Sequence, residues 1–227
     1  MRYQILLFDL DGTLLDFDAN EADSLKKLFS MQGFELTEEL LHTYHQINNR
    51  LWADYEKGRI TQETILNTRF AETMSRFGVQ ADGTAWEKKY RELLGEGHQI
   101  IPGADRLCEQ LSKTHRLFAV TNGVTDTQLS RLKLSGLYDY FEDVFTSQEI
   151  GIQKPERRFF DYVMSHIKDF DPSKALVIGD SVSTDMKGGA GAGLDTCLVD
   201  LKGKGCPEES LCTYVVTGLD QLFEICG

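Results

Sequence analysis

From Ile101 onward the chain alternates short, almost unbroken apolar runs with segments whose apolar residues recur every three or four positions. The runs LFAVT at 117–121, Val144-Phe145-Thr146, ALVIG at 175–179, TCLVD at 196–200 and YVVT at 214–217 show no alternation between apolar and polar residues. A strand that is apolar on both faces must be covered on both, and a parallel sheet wrapped by crossover helices meets that condition. Helices are expected between the runs at 104–113, 125–134, 156–168, 184–192 and 219–225. YQILLF at 3–8 has the same texture and ends in acid and glycine, as a buried strand followed by a turn does.

Between these two parts lies a stretch without a convincing strand. Its apolar residues fall into four helical stripes: Ala22, Leu25, Leu28 and Phe29; Leu40, Tyr44, Ile47, Leu51 and Tyr55; Leu66, Phe70, Met74 and Phe77; and Trp86, Tyr90 and Leu93. Asn20, Thr37 and Thr61 stand where N-caps belong, and Gly33, Gly58 and Gly78 where helices stop. The fold class is therefore α/β: a doubly wound, Rossmann-like parallel-sheet core from 1–16 and 98–227, with a helical bundle, 17–97, inserted as a cap. Asp16-Phe17-Asp18 and Glu96-Gly97-His98 are the expected hinges.

The chain has 227 residues, and 24 Lys plus Arg against 36 Asp plus Glu give a net charge of −12. Such a surface repels nucleic-acid polymers and anionic membranes alike. The apolar run ILLF at 5–8 is too short for a secretory signal, and nothing approaches the roughly 20 apolar residues of a membrane helix. The five cysteines are odd in number and contain no C-x-x-C pair, so neither a disulfide framework nor a zinc site is indicated. Reduced thiols in a cytoplasmic protein are expected, although Cys206 and Cys212 flank a short loop that a bridge would span. The sequence leaves the oligomeric state open.

In an open parallel sheet, ligands bind beyond the carboxyl ends of the strands. The residues arriving there are Asp9, Asp11, Gly12 and Thr13; Thr121, Asn122 and Gly123; Lys154-Pro155; and Gly179, Asp180, Ser181 and Asp185. Carboxylates gathered that closely take up protons unless a divalent cation compensates them. Oxygen donors without His or Cys select Mg²⁺, which usually shares its coordination with a substrate phosphate. Lys154 and Thr121 are then the groups for the remaining phosphate oxygens, together with Asn122.

FDLDGT at 8–13, TNG at 121–123, KP at 154–155 and GDSVSTD at 179–185 resemble the four ordered motifs of the haloacid dehalogenase (HAD) superfamily, in its phosphatase branch. LWADYEKGRIT at 51–61, RF at 69–70, TNG and GIQKP further resemble the house-cleaning pyrimidine 5′-nucleotidases. The resemblance implies a phosphomonoester substrate and an aspartyl-phosphate intermediate. It makes Asp9 the nucleophile and Asp11 the acid and base, and it gives Mg²⁺ to Asp9, the Asp11 carbonyl and Asp180. Asp185 then holds a metal-bound water or orients Lys154. Asp11 argues against a dehalogenase, and Thr13 against a phosphomutase. Phosphoglycolate or a sugar phosphate is the alternative substrate, and a non-catalytic phosphometabolite-binding module the alternative class. Trp52, Tyr55 and Phe70 either stack on a base or fill the bundle.

Overall fold

The computed structural model describes residues 2–226, apart from the side chain of Glu209. In chain order, β1 (Ile5–Phe8) is followed by α1 (Phe17–Met31), α2 (Glu38–Glu56), α3 (Gln62–Ser75) and α4 (Gly83–Glu96). The rest alternates: α5 (Ala104–Leu111), β2 (Arg116–Thr121), α6 (Thr125–Leu134), β3 (Asp143–Thr146), α7 (Ser147–Ile150), α8 (Arg157–His166), β4 (Ala175–Gly179), α9 (Lys187–Gly191), β5 (Asp195–Val199), β6 (Tyr214–Val216) and α10 (Leu222–Cys226). The chain divides into two compact units, one of residues up to Phe17 with those from His98 on, the other Asp18–Gly97.

In the first unit six strands form one parallel sheet in the order β3-β2-β1-β4-β5-β6. The apolar runs are explained by a period of two that is buried on both sides. Leu6, Phe8, Leu117, Ala119, Leu176 and Ile178 pack towards Leu107 and Leu111 of α5 and Leu222 of α10. Their neighbours Ile5, Leu7, Phe118, Val120, Ala175 and Val177 face Phe159, Phe160 and Val163 of α8. Each large side chain so buried contributes about 1.5–3 kcal/mol. The strand order reverses between β1 and β4, and Phe8 pairs in register with both Ala119 and Ile178. Asp9, Val120 and Gly179 therefore stand level, on three adjacent strands, at the switch point where such sheets bind ligands.

The glycine run after β4 serves packing. A β-carbon on Gly188 would overlap the Phe160 ring, and one on Gly189 would meet Val177 and Thr196 at about 3 Å, tighter than ordinary contact. The expected helix at 184–192 is a π-helical turn, Val182–Met186, running into α9.

The helical unit has its expected caps at Thr37 and Thr61, whose side chains accept from the N–H groups of Leu40 and Thr64. Gly33, Gly58 and Gly78 all take positive φ after their helices. Asn20, expected to cap, lies instead inside α1, because the helix begins three residues earlier; its amide donates to the Leu94 carbonyl. Ala22 and Phe77 are exposed and Leu66 only half-buried, so α3 buries Ile65, Arg69, Phe70, Thr73 and Met74. Phe70 is core, ringed by Phe29, Tyr44, Trp86 and Tyr90. Tyr55 is buried with Ile47, Leu51 and Ile65, and Trp52 packs edge-on against it.

Arg69 is buried at the centre of this unit. Its Nε and Nη2 donate to the Glu87 carboxylate at 2.7 Å each and its Nη1 to Asn48 at 3.0 Å. Burying both ions is tolerable because the pair is bidentate and all three guanidinium nitrogens donate to an acceptor. Nearby, Glu21 accepts from the hydroxyls of Tyr44 and Tyr90, and burial raises its pKa.

Cys206 and Cys212 form a disulfide, against the expectation of reduced thiols throughout. Six residues of separation bring their Cα atoms to 6.7 Å, within bridging range. Cys108, Cys197 and Cys226 are free and buried. Among the described residues no helix is long and apolar enough to cross a membrane.

Arg69→Met should cost about 3–5 kcal/mol, since it leaves the buried Glu87 carboxylate without its bidentate partner and with only Arg91 Nε, at 3.6 Å, to offset it. Adding Glu87→Gln to that variant should recover much of the loss. Urea unfolding of the single and double variants checks this, and a single-variant cost below about 1 kcal/mol would contradict it.

Candidate active site

Asp9 follows β1 directly, and its N–H continues the sheet by donating to the Ile178 carbonyl at 2.8 Å. Beyond it the chain turns sharply: Leu10 is buried, and its carbonyl accepts from the N–H groups of Thr13, Leu14 and Leu15. The turn needs Gly12, which has φ +82° and where a β-carbon would overlap the Asp180 carboxylate. Asp9 and Asp11 thus flank a buried leucine and leave the strand end in different directions. Thr13 points its hydroxyl back and donates to Asp9 Oδ2 at 3.3 Å.

Lys154 is fully buried and reaches the same point from the loop after α7. Its Nζ donates to Asp9 Oδ1 at 2.8 Å, Asp185 Oδ1 at 2.6 Å and the Val120 carbonyl at 2.7 Å, which uses all three N–H bonds. Burial alone would lower the Lys154 pKa, but Asp185 and Asp9 override it and hold the ammonium above its ordinary value. Asn122 fixes the lysine's backbone from both sides: its Nδ2 donates to the Lys154 carbonyl and its Oδ1 accepts from the Lys154 N–H, each at 2.9 Å. The Asn122 amide, expected at the phosphate, is therefore engaged in placing Lys154.

Asp185 extends the network, since its Oδ2 accepts from the Ser181 N–H at 3.2 Å. A β-carbon on Gly179 would overlap that carboxylate, so the strand end must be glycine. Asp9, Asp180 and Asp185 each bring an oxygen within 4.8 Å of the other two. Desolvation, then the charges of Asp185 and Asp180, hold the Asp9 carboxyl well above the usual range in spite of Lys154. Asp180 is exposed as a residue, yet its carboxyl is hemmed in by protein. That desolvation and the charge of Asp185 push it up to about 7. When all three are ionised, three carboxylates face one ammonium and leave a surplus of two negative charges. An all-oxygen donor set with that surplus fits a hard divalent cation.

Thr121, at the end of β2, accepts at its Oγ1 from the Gly123 N–H at 3.0 Å and from Gln128 Nε2 at 2.9 Å. With both lone pairs taken, its hydroxyl proton is left to donate outward, as a phosphate-binding group requires. Asp11 is held by two residues that sequence reading missed: Gln128 Nε2 donates to its Oδ2 at 2.6 Å, and Arg131 Nη1 to its Oδ1. The only signal for them was a polar pair three residues apart on a helix, Gln128 and Arg131, both of which turn out to be buried.

The haloacid dehalogenase-like hydrolase family matches residues 3–193. The chain is 44% identical over 224 residues, 99% of its own length and 95% of the other's, to the HAD-hydrolase YfnB of Bacillus subtilis. It is 40% identical over 197 residues, 86% of this chain and 83% of the other, to the pyrimidine 5′-nucleotidase PynA of Streptococcus pneumoniae. Over 225 residues it is 30% identical to the pyrimidine 5′-nucleotidase YjjG of Escherichia coli, covering 99% of this chain and 98% of that one. A crystal structure of YfnB bound to magnesium matches with a TM-score of 0.95 at 43% identity, over 100% and 99% of the two chains.

Without a cation, ionising Asp180 costs the folded chain stability progressively as pH rises from about 4 towards about 7, because its folded pKa lies above the ordinary 3.8. A bound cation needs these carboxyls ionised and reverses the sign. Millimolar Mg²⁺ should therefore raise the melting temperature more at pH 8 than at pH 6, and Asp180→Asn should remove most of the shift. Equal shifts at both pH values, or an undiminished shift in the variant, would contradict the site.

Proposed function

We propose that this chain, which belongs to the haloacid dehalogenase-like hydrolases, is a Mg²⁺-dependent phosphomonoesterase that works through an aspartyl-phosphate and prefers pyrimidine nucleoside 5′-monophosphates. The observation that carries the reading is the junction of Asp9, Lys154, Asp180 and Asp185 at the end of β1 and β4. Asp9, Asp180 and the Asp11 carbonyl would hold Mg²⁺. When bound, that ion offsets the charge on the transferring phosphoryl group. Asp185 accepts bonds at both oxygens, from Lys154 and Ser181, which suits it to orienting the lysine.

In the first half-reaction an Asp9 carboxylate oxygen attacks phosphorus, the bond to the ester oxygen breaks, and Asp11 gives its proton to the departing alkoxide. In the second, Asp11 takes a proton from water as that water attacks the same phosphorus. Phosphate is released, Asp9 is free again and Asp11 is protonated for the next turnover. Lys154 keeps Asp9 in place. It can meet a phosphate oxygen by giving up one of its three present bonds, and Thr121 supplies a hydroxyl donor. The pyrimidine preference draws its support from PynA and YjjG. The helical unit is read as the cap that selects the substrate, and the setting as cytoplasmic.

With Mg²⁺ present, Asp9→Asn should lower p-nitrophenyl phosphate hydrolysis by about a thousandfold or more, since the covalent route is lost. Normal turnover by that variant would overturn the mechanism. In a phosphate-release screen of UMP, dUMP, dTMP, phosphoglycolate and hexose phosphates, the pyrimidine nucleotides should react fastest. Preference for phosphoglycolate or hexose phosphates would remove the nucleotidase reading and leave the phosphatase one.

A further inference from the structure

Among the described residues two arginines are buried, and they are used differently. Arg69 places Nε and both Nη groups on acceptors, as a structural ion does. Arg131 is 1% exposed and uses Nη1 alone, on Asp11 Oδ1 and, at 3.3 Å, on Gln128 Oε1. Its Nε and Nη2 are buried without a hydrogen-bond partner among the described residues, and the Phe17 ring, 5.7 Å from Cζ, is a weak substitute. Burying a guanidinium costs several kcal/mol unless a carboxylate compensates it. Here the one carboxylate that it pairs with belongs to Asp11.

Gln128 completes the arrangement. One turn of α6 puts it on the same face as Arg131. Its two amide hydrogens go to Asp11 Oδ2 and Thr121 Oγ1, and its oxygen accepts from Arg131. The Asp11 carboxyl is thus held at both oxygens by one helix, and the same amide ties it to the Thr121 hydroxyl. An aspartate free at χ1 would sample several staggered positions. An error of about 1 Å in a reacting group can cost about a hundredfold in rate.

We infer that Arg131 and Gln128 are positioning residues that clasp Asp11 where it meets the leaving-group oxygen, in register with the phosphate held by Thr121. The inference rests on the phosphatase reading. It concerns one proton transfer, from the Asp11 carboxyl to the ester oxygen as the P–O bond breaks, so it makes a demand that depends on the leaving group. p-Nitrophenolate departs with little protonic help, whereas phenolate needs more.

The test is kcat/KM for p-nitrophenyl phosphate and phenyl phosphate, with Mg²⁺, in the unmodified enzyme and in Arg131→Met, Arg131→Lys and Gln128→Met. This parameter reports steps only through departure of the phenol, so the later hydrolysis of the phospho-enzyme does not enter. The ratio of phenyl to p-nitrophenyl reactivity should fall by about tenfold in Arg131→Met and Gln128→Met, a modest part of what a general acid supplies. Arg131→Lys, which keeps a cation and a donor, should restore part of it. A merely structural role would lower both substrates by one factor and leave the ratio fixed. That result in folded variants, checked by circular dichroism, overturns the clasp and leaves the phosphatase reading intact. If the unmodified enzyme cleaves neither ester, the phosphatase reading itself fails. Should Arg131→Met not fold, Gln128→Met decides the question by the same ratio.

Discussion

A single buried ammonium joins three strand ends. Lys154 Nζ holds the carboxylate after β1, a carbonyl of β2 and the carboxylate that follows β4, all within 2.6–2.8 Å. The parallel register supplies those groups at one level, and the lysine fixes them there against the mutual repulsion of the acids. Without the cation, the Asp9 and Asp185 carboxyls would lose the one donor that bonds both of them in a desolvated pocket. With it, the pocket still carries more negative than positive charge, and a divalent metal fits the balance. The sheet, the loop that carries Lys154 and the chemistry thus depend on one electrostatic contact.

The backbone is fitted to that contact as closely as the side chains are. Gly12 and Gly179 stand where any β-carbon would overlap Asp180 or Asp185. Asn122 uses both ends of its amide on Lys154's own peptide groups, so a residue at one strand end sets the position of a residue at the next. These are restraints on main chain, and they explain why the motifs are short and rich in glycine and small polar residues.

Much of this was legible in the sequence. Strands buried on both faces print as continuous apolar runs, and the residues after them have nowhere to go but the ligand crevice. Asp9, Lys154 and Asp180 could be singled out on that ground. Arg131, Gln128 and Arg69 could not, because a polar residue on a helix reads as solvated and its burial is decided by what packs against it. Asn122 was seen as a strand-end donor, but its partner depends on a peptide 32 residues away. In the helical unit the stripes gave the helices, while α3 turned Ile65 and Arg69 inward in place of Leu66 and Phe77, since short stripes fit two adjacent faces almost equally well.

The central claim is that Asp9 itself becomes phosphorylated. The most direct measurement is to quench the enzyme during turnover of p-nitrophenyl phosphate, reduce it with borohydride, and map the peptides by mass spectrometry. An acyl-phosphate at Asp9 would be recovered as homoserine at that position and at no other acid. Conversion at Asp11, Asp180 or Asp185 instead, or at none of them while phosphate is being released, would contradict the account.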